Sequence, residues 1–230
     1  MKLRFAAFLA VVILTLGGCA VTPQPTVLLE QGTPTLKGSQ VGLYVAKLPK
    51  VDSHFPGAGC LLCIATASLV NAKLTAHTQT LPSDELANLK TNLAKLLRAR
   101  GATVVDMPDT FAPASLPRSQ DKGPNIAPVD FSSLRTSHKI DKLAVIVIDQ
   151  LGVLRTYSSY FPTSDPKASL SGIGYIVNLT NNQYEWYQSV QMSKSSEGAW
   201  DEPPKFPGLT NAYFQTLEGG KDAFLKPFEN

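Results

Sequence analysis

Leu143-Ala144-Val145-Ile146-Val147-Ile148 is an unbroken run of six apolar residues, entered through Asp141-Lys142 and left through Asp149-Gln150. Strand side chains point alternately to two faces, so a run without polar alternation predicts a strand covered on both sides, at the centre of a sheet. Lys142 to Gln150 is that predicted strand, with Val145 and Ile148 as core residues on opposite faces, and a long ribbon continues through Leu151 to Phe161. Ser169 to Thr180 and Gln183 to Met192 predict a hairpin around Asn181-Asn182, a pair that tolerates the positive φ of a type I′ turn. Alternation puts Ile173, Tyr175, Val177 and Leu179 on one face of the first arm, and Tyr184, Trp186, Val190 and Met192 on one face of the second. Such period-two spacing predicts one buried face and one wet face.

Upstream of the run, Gln40 to Leu48 reads as a short strand stopped by Pro49. Cys60 to Thr78, rich in Leu, Ile and Ala, predicts a helix buried at its start and emerging into solvent near Asn71, Lys73 and His77. A second helix follows Pro82: Ser83 suits an N-cap, Asp84 and Glu85 suit the first turn, and Leu86, Leu89, Leu93, Leu96 and Leu97 keep helical spacing. Arg98 and Arg100 favour its carboxyl end and Gly101 stops it. Ala102 to Met107 is a further strand, and Asp130 caps a short helix through Ser137. The C-terminal stretch with Leu209, Tyr213, Phe214, Leu217, Phe224 and Leu225 predicts a helix interrupted at Gly219-Gly220. The order β-α-α-β-α-β-β-β-α predicts an α/β sandwich with a mixed sheet.

The first eighteen residues have the build of an export signal. Lys2 and Arg4 form a positive start, Phe5 to Leu16 an apolar core too short to span a bilayer, and Leu16-Gly17-Gly18 leads into Cys19. Leu16-Gly17-Gly18-Cys19 resembles the lipobox of bacterial lipoproteins. That resemblance implies diacylation of the Cys19 thiol, cleavage before it and acylation of the new amine. It also implies sorting to the outer membrane, because Ala20 rather than Asp follows the cysteine. Removing 18 of the 230 residues leaves 212, and losing Lys2 and Arg4 leaves 19 of 21 basic side chains against 18 acidic ones. A nearly neutral chain of this kind lacks the positive field that nucleic acid or a polybasic membrane contact requires. Attachment to the membrane is therefore assigned to the acyl chains, each buried methylene contributing about 0.8 kcal/mol. Residues 19–39, with Pro23, Pro25 and Pro34, read as lipid anchor and flexible tether. Residues 40–230 form the predicted periplasmic α/β domain, carrying a Pro-rich loop at 108–128 with five prolines.

Phe131-Ser132-Ser133-Leu134 leading into Ile140 to Val147, together with the hairpin from Tyr175 to Trp186, resembles the periplasmic domains of the curli-secretion lipoprotein and its small relatives. Those share a fold with the TolB amino-terminal domain. The resemblance spans roughly residues 130 to 190 and implies an envelope lipoprotein of assembly or secretion. The turn lacks the family's usual glycine, and the cysteine pair is not a family feature.

Cys60-Leu61-Leu62-Cys63 follows Gly57-Ala58-Gly59 at a predicted helix start, where thiol pKa values fall and a C-x-x-C has the thioredoxin arrangement. Three readings stand: a structural disulfide, two buried reduced thiols, or a redox centre. The paired leucines and the absence of an aromatic before Cys60 weigh against redox work. No second C-x-x-C or paired histidines supply zinc spacing, and His54, His77 and His138 sit in separate polar contexts that suit the surface. There is no Gly-x-Ser-x-Gly, P-loop or dinucleotide fingerprint. Asp149 reads as a strand-end turn residue, and Tyr187 as an aromatic free to mark a partner surface.

The expectation is a non-enzymatic outer-membrane lipoprotein. It faces the periplasm, needs no cofactor or metal, and binds an envelope protein or further copies of itself, with no nucleic-acid partner. The alternative is a membrane-tethered thiol–disulfide oxidoreductase using Cys60 and Cys63. A third reading has Leu61 to Leu69 line a lipid pocket.

Overall fold

A computed structural model describes residues 23–30 and 36–229. The signal, Cys19, Ala20 and parts of the segment read as a tether lie outside the described residues. The strands are β1 (Gln40–Val45), β2 (Asp52–His54), β3 (Thr103–Asp106), β4 (Lys142–Leu154), β5 (Tyr157–Ser158), β6 (Phe161–Pro162), β7 (Lys167–Asn178) and β8 (Gln183–Ser195). The helices are α1 (Leu61–Val70), α2 (Ala72–Thr78), α3 (Leu89–Ala99), α4 (Leu134–Ser137) and α5 (Pro207–Leu225). The main sheet runs β3-β1-β4-β7-β8, with β2 pairing the far half of β4. Strands β1, β2 and β3 join in parallel, whereas β4, β7 and β8 form an antiparallel meander. This is the expected α/β sandwich with a mixed sheet. The apolar run lies at its centre, Val145 beside Tyr44 of β1 and Tyr175 of β7.

Near the hairpin both faces of the sheet are covered, which corrects the expectation of one wet face there; farther along β8 the expectation holds, with Val190 and Met192 against the core and Ser189, Gln191 and Ser193 exposed. Helices α3 and α5 close the first, where Leu89, Leu93, Leu97, Tyr213 and Phe224 pack against Ile146, Ile176 and Trp186. The second is closed by the Pro-rich segment and α4, which place Met107, Ala127, Phe131 and Leu134 over Val145, Tyr175 and Val177. Five prolines stop this cover from forming a helix, but they do not stop it from burying side chains. Asn182 pins it: Oδ1 accepts from Phe131 N at 3.1 Å, and Nδ2 donates to Ala127 O and Val129 O at 3.0 and 2.9 Å.

The hairpin differs from the expected type I′ turn. Asn178 pairs with Gln183 across the four residues Leu179–Asn182, and Asn182 alone among them has positive φ, at 55°. A bulge then inserts Glu185 between Tyr184, opposite Val177, and Trp186, opposite Ile176. One extra residue reverses the alternation, so Tyr184 and Trp186 enter opposite cores rather than sharing a face. Glu185 forms an ion pair with the buried Lys142 and accepts from Asn178 Nδ2 at 2.8 Å. Asp149 occupies a second bulge, between β4 and β7, and accepts from Ser171 Oγ at 2.6 Å.

Helix α5 is continuous through Gly219-Gly220, contrary to the predicted break. A Cβ at Gly220 would come within 2.7 Å of Leu170 Cδ1, and one at Gly219 within 2.7 Å of Met192 Cε. The two glycines let the helix approach the sheet, an advantage in packing that offsets their roughly 1 kcal/mol helix penalty. The predicted helix from Ser83 begins later, at Leu89, after a 3₁₀ turn at Asp84–Leu86, and Ser83 makes no side-chain cap.

The described part of the segment read as a tether is not free chain. Val27 and Tyr187 exchange two backbone hydrogen bonds of 2.9 Å, and Leu29 and Leu36 are buried in the first core. Gln24 Nε2 donates to Asn125 Oδ1 at 3.0 Å. Val27-Leu28-Leu29 is a short apolar cluster in a polar segment, and the outer edge of β8 supplies the hydrogen-bonding groups that hold it.

Candidate interaction site at the far end of the sheet

Beyond Leu154, where β4 leaves the sheet, a two-stranded ribbon and two short helices build the far end of the domain. The segment His54 to Gly57 follows the chain Arg155 to Ser159: Arg155 N donates to His54 O, Tyr157 N to Pro56 O and Ser159 N to Gly57 O. Gly57 is required at this approach, since φ is +88° and a Cβ would fall 1.9 Å from Tyr157 O.

Helix α1 starts at the cysteine pair. Cys60 is the N-cap, its Sγ accepting from Cys63 N at 2.9 Å, and the two sulfurs are joined in a disulfide with Cα atoms 4.9 Å apart. Cys60 is exposed and lies 3.8 Å from the hydroxyl of Tyr160, whereas Cys63 packs with Ala58, Ala67 and Tyr157 in a small satellite core. The predicted single helix is broken at Asn71. That buried side chain donates to Ala67 O and to Tyr157 Oη, and accepts from Arg155 Nη1 at 2.9 Å. The Arg155 guanidinium lies 5.0 Å over the Trp200 ring, which stacks on Phe206. Nothing in the spacing of these residues announces the network. It joins three segments far apart in sequence.

The burial order of this region is the reverse of the expected one. Its start faces water: Leu61, Leu62 and Leu69 are 85%, 67% and 78% exposed. Its second half is the anchored part, with Leu74 and Thr78 buried and His77 Nε2 2.8 Å from Thr210 Oγ1. Burial and then the Lys205 charge hold the His77 pKa below the usual histidine value. Helix α1 carries small residues where it touches the domain, Cys63 and Ala67 against Tyr157, and large apolar ones where it does not. Tyr160 and Phe161 on the ribbon are exposed as well, Phe161 at 75%. No charged residue occurs between Phe55 and Lys73. A helix with no polar face and no cover of its own is the sequence signal that could have marked this surface.

The remaining candidates lie apart. His54 borders a groove of about 770 Å³ between β2 and the helices, lined also by Asp52, Phe55, Ile64, Thr75 and Gln79. His77 lies on α2, and His138 follows α4 with Nδ1 2.9 Å from Ser137 Oγ. Among the described residues no three His, Cys, Asp or Glu side chains are grouped to hold a metal ion, and no helix is long and apolar enough to cross a membrane. Tyr187 is not the free aromatic that was expected. Val27 pairs with its backbone and its ring packs 5.1 Å from Tyr184, whose hydroxyl pKa is pushed up to about 12 by burial and then by Tyr187.

Fold and site thus define an α/β sandwich that presents an uncharged apolar helix at one end. No protein-family model and no curated protein matches the chain. Among solved structures it is similar to a DUF330 protein from Xanthomonas campestris (12% identity, TM-score 0.39, covering 89% of this chain and 94% of that one). It is similar to a PelC dodecamer from Paraburkholderia phytofirmans (12%, TM-score 0.35, 86% and 93%). It is also similar to a lipoprotein from Neisseria meningitidis (14%, TM-score 0.29, 78% and 99%).

Proposed function

We propose that this chain is a lipid-anchored protein of the bacterial outer membrane whose periplasmic domain is a non-catalytic binding module for envelope assembly or secretion. The anchor rests on Leu16-Gly17-Gly18-Cys19 behind a charged start and a short apolar core. The observation that carries the binding role is the exposed apolar face of α1, a surface that water disfavours and a protein partner would bury. The test of the anchor is metabolic labelling with palmitate. Wild type is expected to take up label and Cys19→Ser none, because the thioether needs the thiol. Label in Cys19→Ser at the wild-type level would remove the anchor. Ala20→Asp is expected to move the protein to the inner membrane, and unchanged fractionation would remove the outer-membrane assignment alone.

The redox alternative is favoured by one observation, the exposed Cys60 at a helix start bonded to a buried Cys63. A bridge between residues three apart closes so short a loop that it adds only about 1–2 kcal/mol by chain entropy. Cys60→Ala with Cys63→Ala is therefore expected to fold, to melt slightly lower and to retain function in cells. Loss of function at an unchanged melting temperature would favour thiol–disulfide exchange.

A further inference from the structure

We propose that the outer face of α1, together with Tyr160 and Phe161 of the ribbon, is the surface through which two copies of this chain associate. The face is one stripe: Leu61, Leu62 and Leu69 project from the side of the helix opposite Cys63 and Ala67, which hold it to Tyr157. The Cys60 sulfur beside the Tyr160 hydroxyl brings the ribbon aromatics to the same helix end. With side chains of this size at these exposures, the stripe and the ribbon leave roughly 650 Å² of largely apolar surface in water. A soluble monomer rarely carries so much in one patch, and one partner of a stable interface buries about that much.

The proposed lipid anchor and this surface lie at opposite ends of the domain. The described chain enters at Gln24, which bonds Asn125, and Asn125 O accepts from Tyr184 N at 2.7 Å beside the hairpin loop. That is the Lys142 end of β4, whereas the stripe lies beyond its Leu154 end. Thirteen residues of strand separate the two by about 40 Å. From a lipidated Cys19 to Gln24 the chain spans at most about 18 Å, so the acyl chains stay near the hairpin loop. This step rests on the lipid anchor proposed above.

A second copy fits this surface. The stripe has no charge to repel its own image, and a twofold contact requires one patch that complements itself. Two copies held in the same leaflet share one orientation, so the twofold axis runs along the membrane normal and the helices meet side by side.

The test uses the full lipoprotein extracted from membranes in mild detergent, with sedimentation velocity over micromolar concentrations. Wild type is expected to sediment as a dimer or larger. Leu62→Glu with Leu69→Glu is expected to be monomeric, its self-association weakened at least about 100-fold, with an unchanged melting temperature because neither side chain contributes to a core. A photoactivatable phenylalanine analogue at Leu62 is expected to give a covalent dimer in cells. A monomeric wild type, or a double variant that associates as wild type does, would overturn the proposal. So would crosslinks from position 62 only to lipid or only to a different protein. Palmitate labelling of the same samples reads the anchor separately, so failure of the anchor and failure of self-association are distinguishable.

Discussion

Val145→Asp is expected to leave no cooperatively folded domain. Val145 is fully buried in the central strand, with Tyr44 and Tyr175 as its register neighbours. The cover above it is Met107, Ala127, Phe131 and Leu134, none of which can neutralise or hydrogen-bond a carboxylate through its side chain. An unpaired carboxyl there costs several kcal/mol, whether it stays charged or takes up a proton, against a typical total stability of about 5–15 kcal/mol. Circular dichroism during heating is the measurement. A soluble variant with the wild-type melting curve would show that the second face of the sheet is open.

Asn182→Ala is expected to lower stability by about 3 kcal/mol or more and to loosen the Pro-rich cover before the rest of the domain. The substitution removes three hydrogen bonds, orphaning the buried Phe131 N and Ala127 carbonyl and the half-buried carbonyl of Val129. Each buried group left unpaired costs about 1–3 kcal/mol. It also forces a Cβ-bearing residue without a compensating side-chain bond to keep φ near +55°, at a further cost of about 1 kcal/mol. Asn182→Gly separates the terms, since glycine adopts that φ freely and loses only the hydrogen bonds. Chemical denaturation gives the totals, and hydrogen exchange at residues 127–134 reports the local opening. Equal protection in wild type and Asn182→Ala would mean that apolar contacts alone hold the cover.

How much of this was legible depended on whether the cause was local. The apolar run at 143–148 announced a strand buried on both faces because any neighbour, whatever its identity, must satisfy the same pattern. The leucines of α3 showed their buried side through helical spacing, and Leu89, Leu93 and Leu97 occupy it. The hairpin was visible in its two arms. Its bulge was not, because Glu185 enters the ladder to meet Lys142, forty-three residues away.

Composition misled where tertiary contacts reassigned a segment. Prolines made 108–128 read as a loop and 19–39 as a tether, yet Ala127 helps to cover one face of the sheet and Leu29 enters the core of the other. Gly219-Gly220 looked like a break, whereas the Leu170 and Met192 side chains require a helix without Cβ atoms there. The candidate site shows the same division. The thiols, their spacing and the uncharged helix could be read from residues 57–72 alone. That the large apolar side chains of that helix face outward was decided by Asn71, Arg155 and Tyr157, whose hydrogen bonds join segments some eighty-five residues apart and orient α1 about its axis. A 3.6-residue period places side chains relative to one another, but a helix apolar all round does not choose its inner side. Here the hydrogen-bonded anchor turns Cys63 and Ala67 onto Tyr157 and leaves the leucines in water.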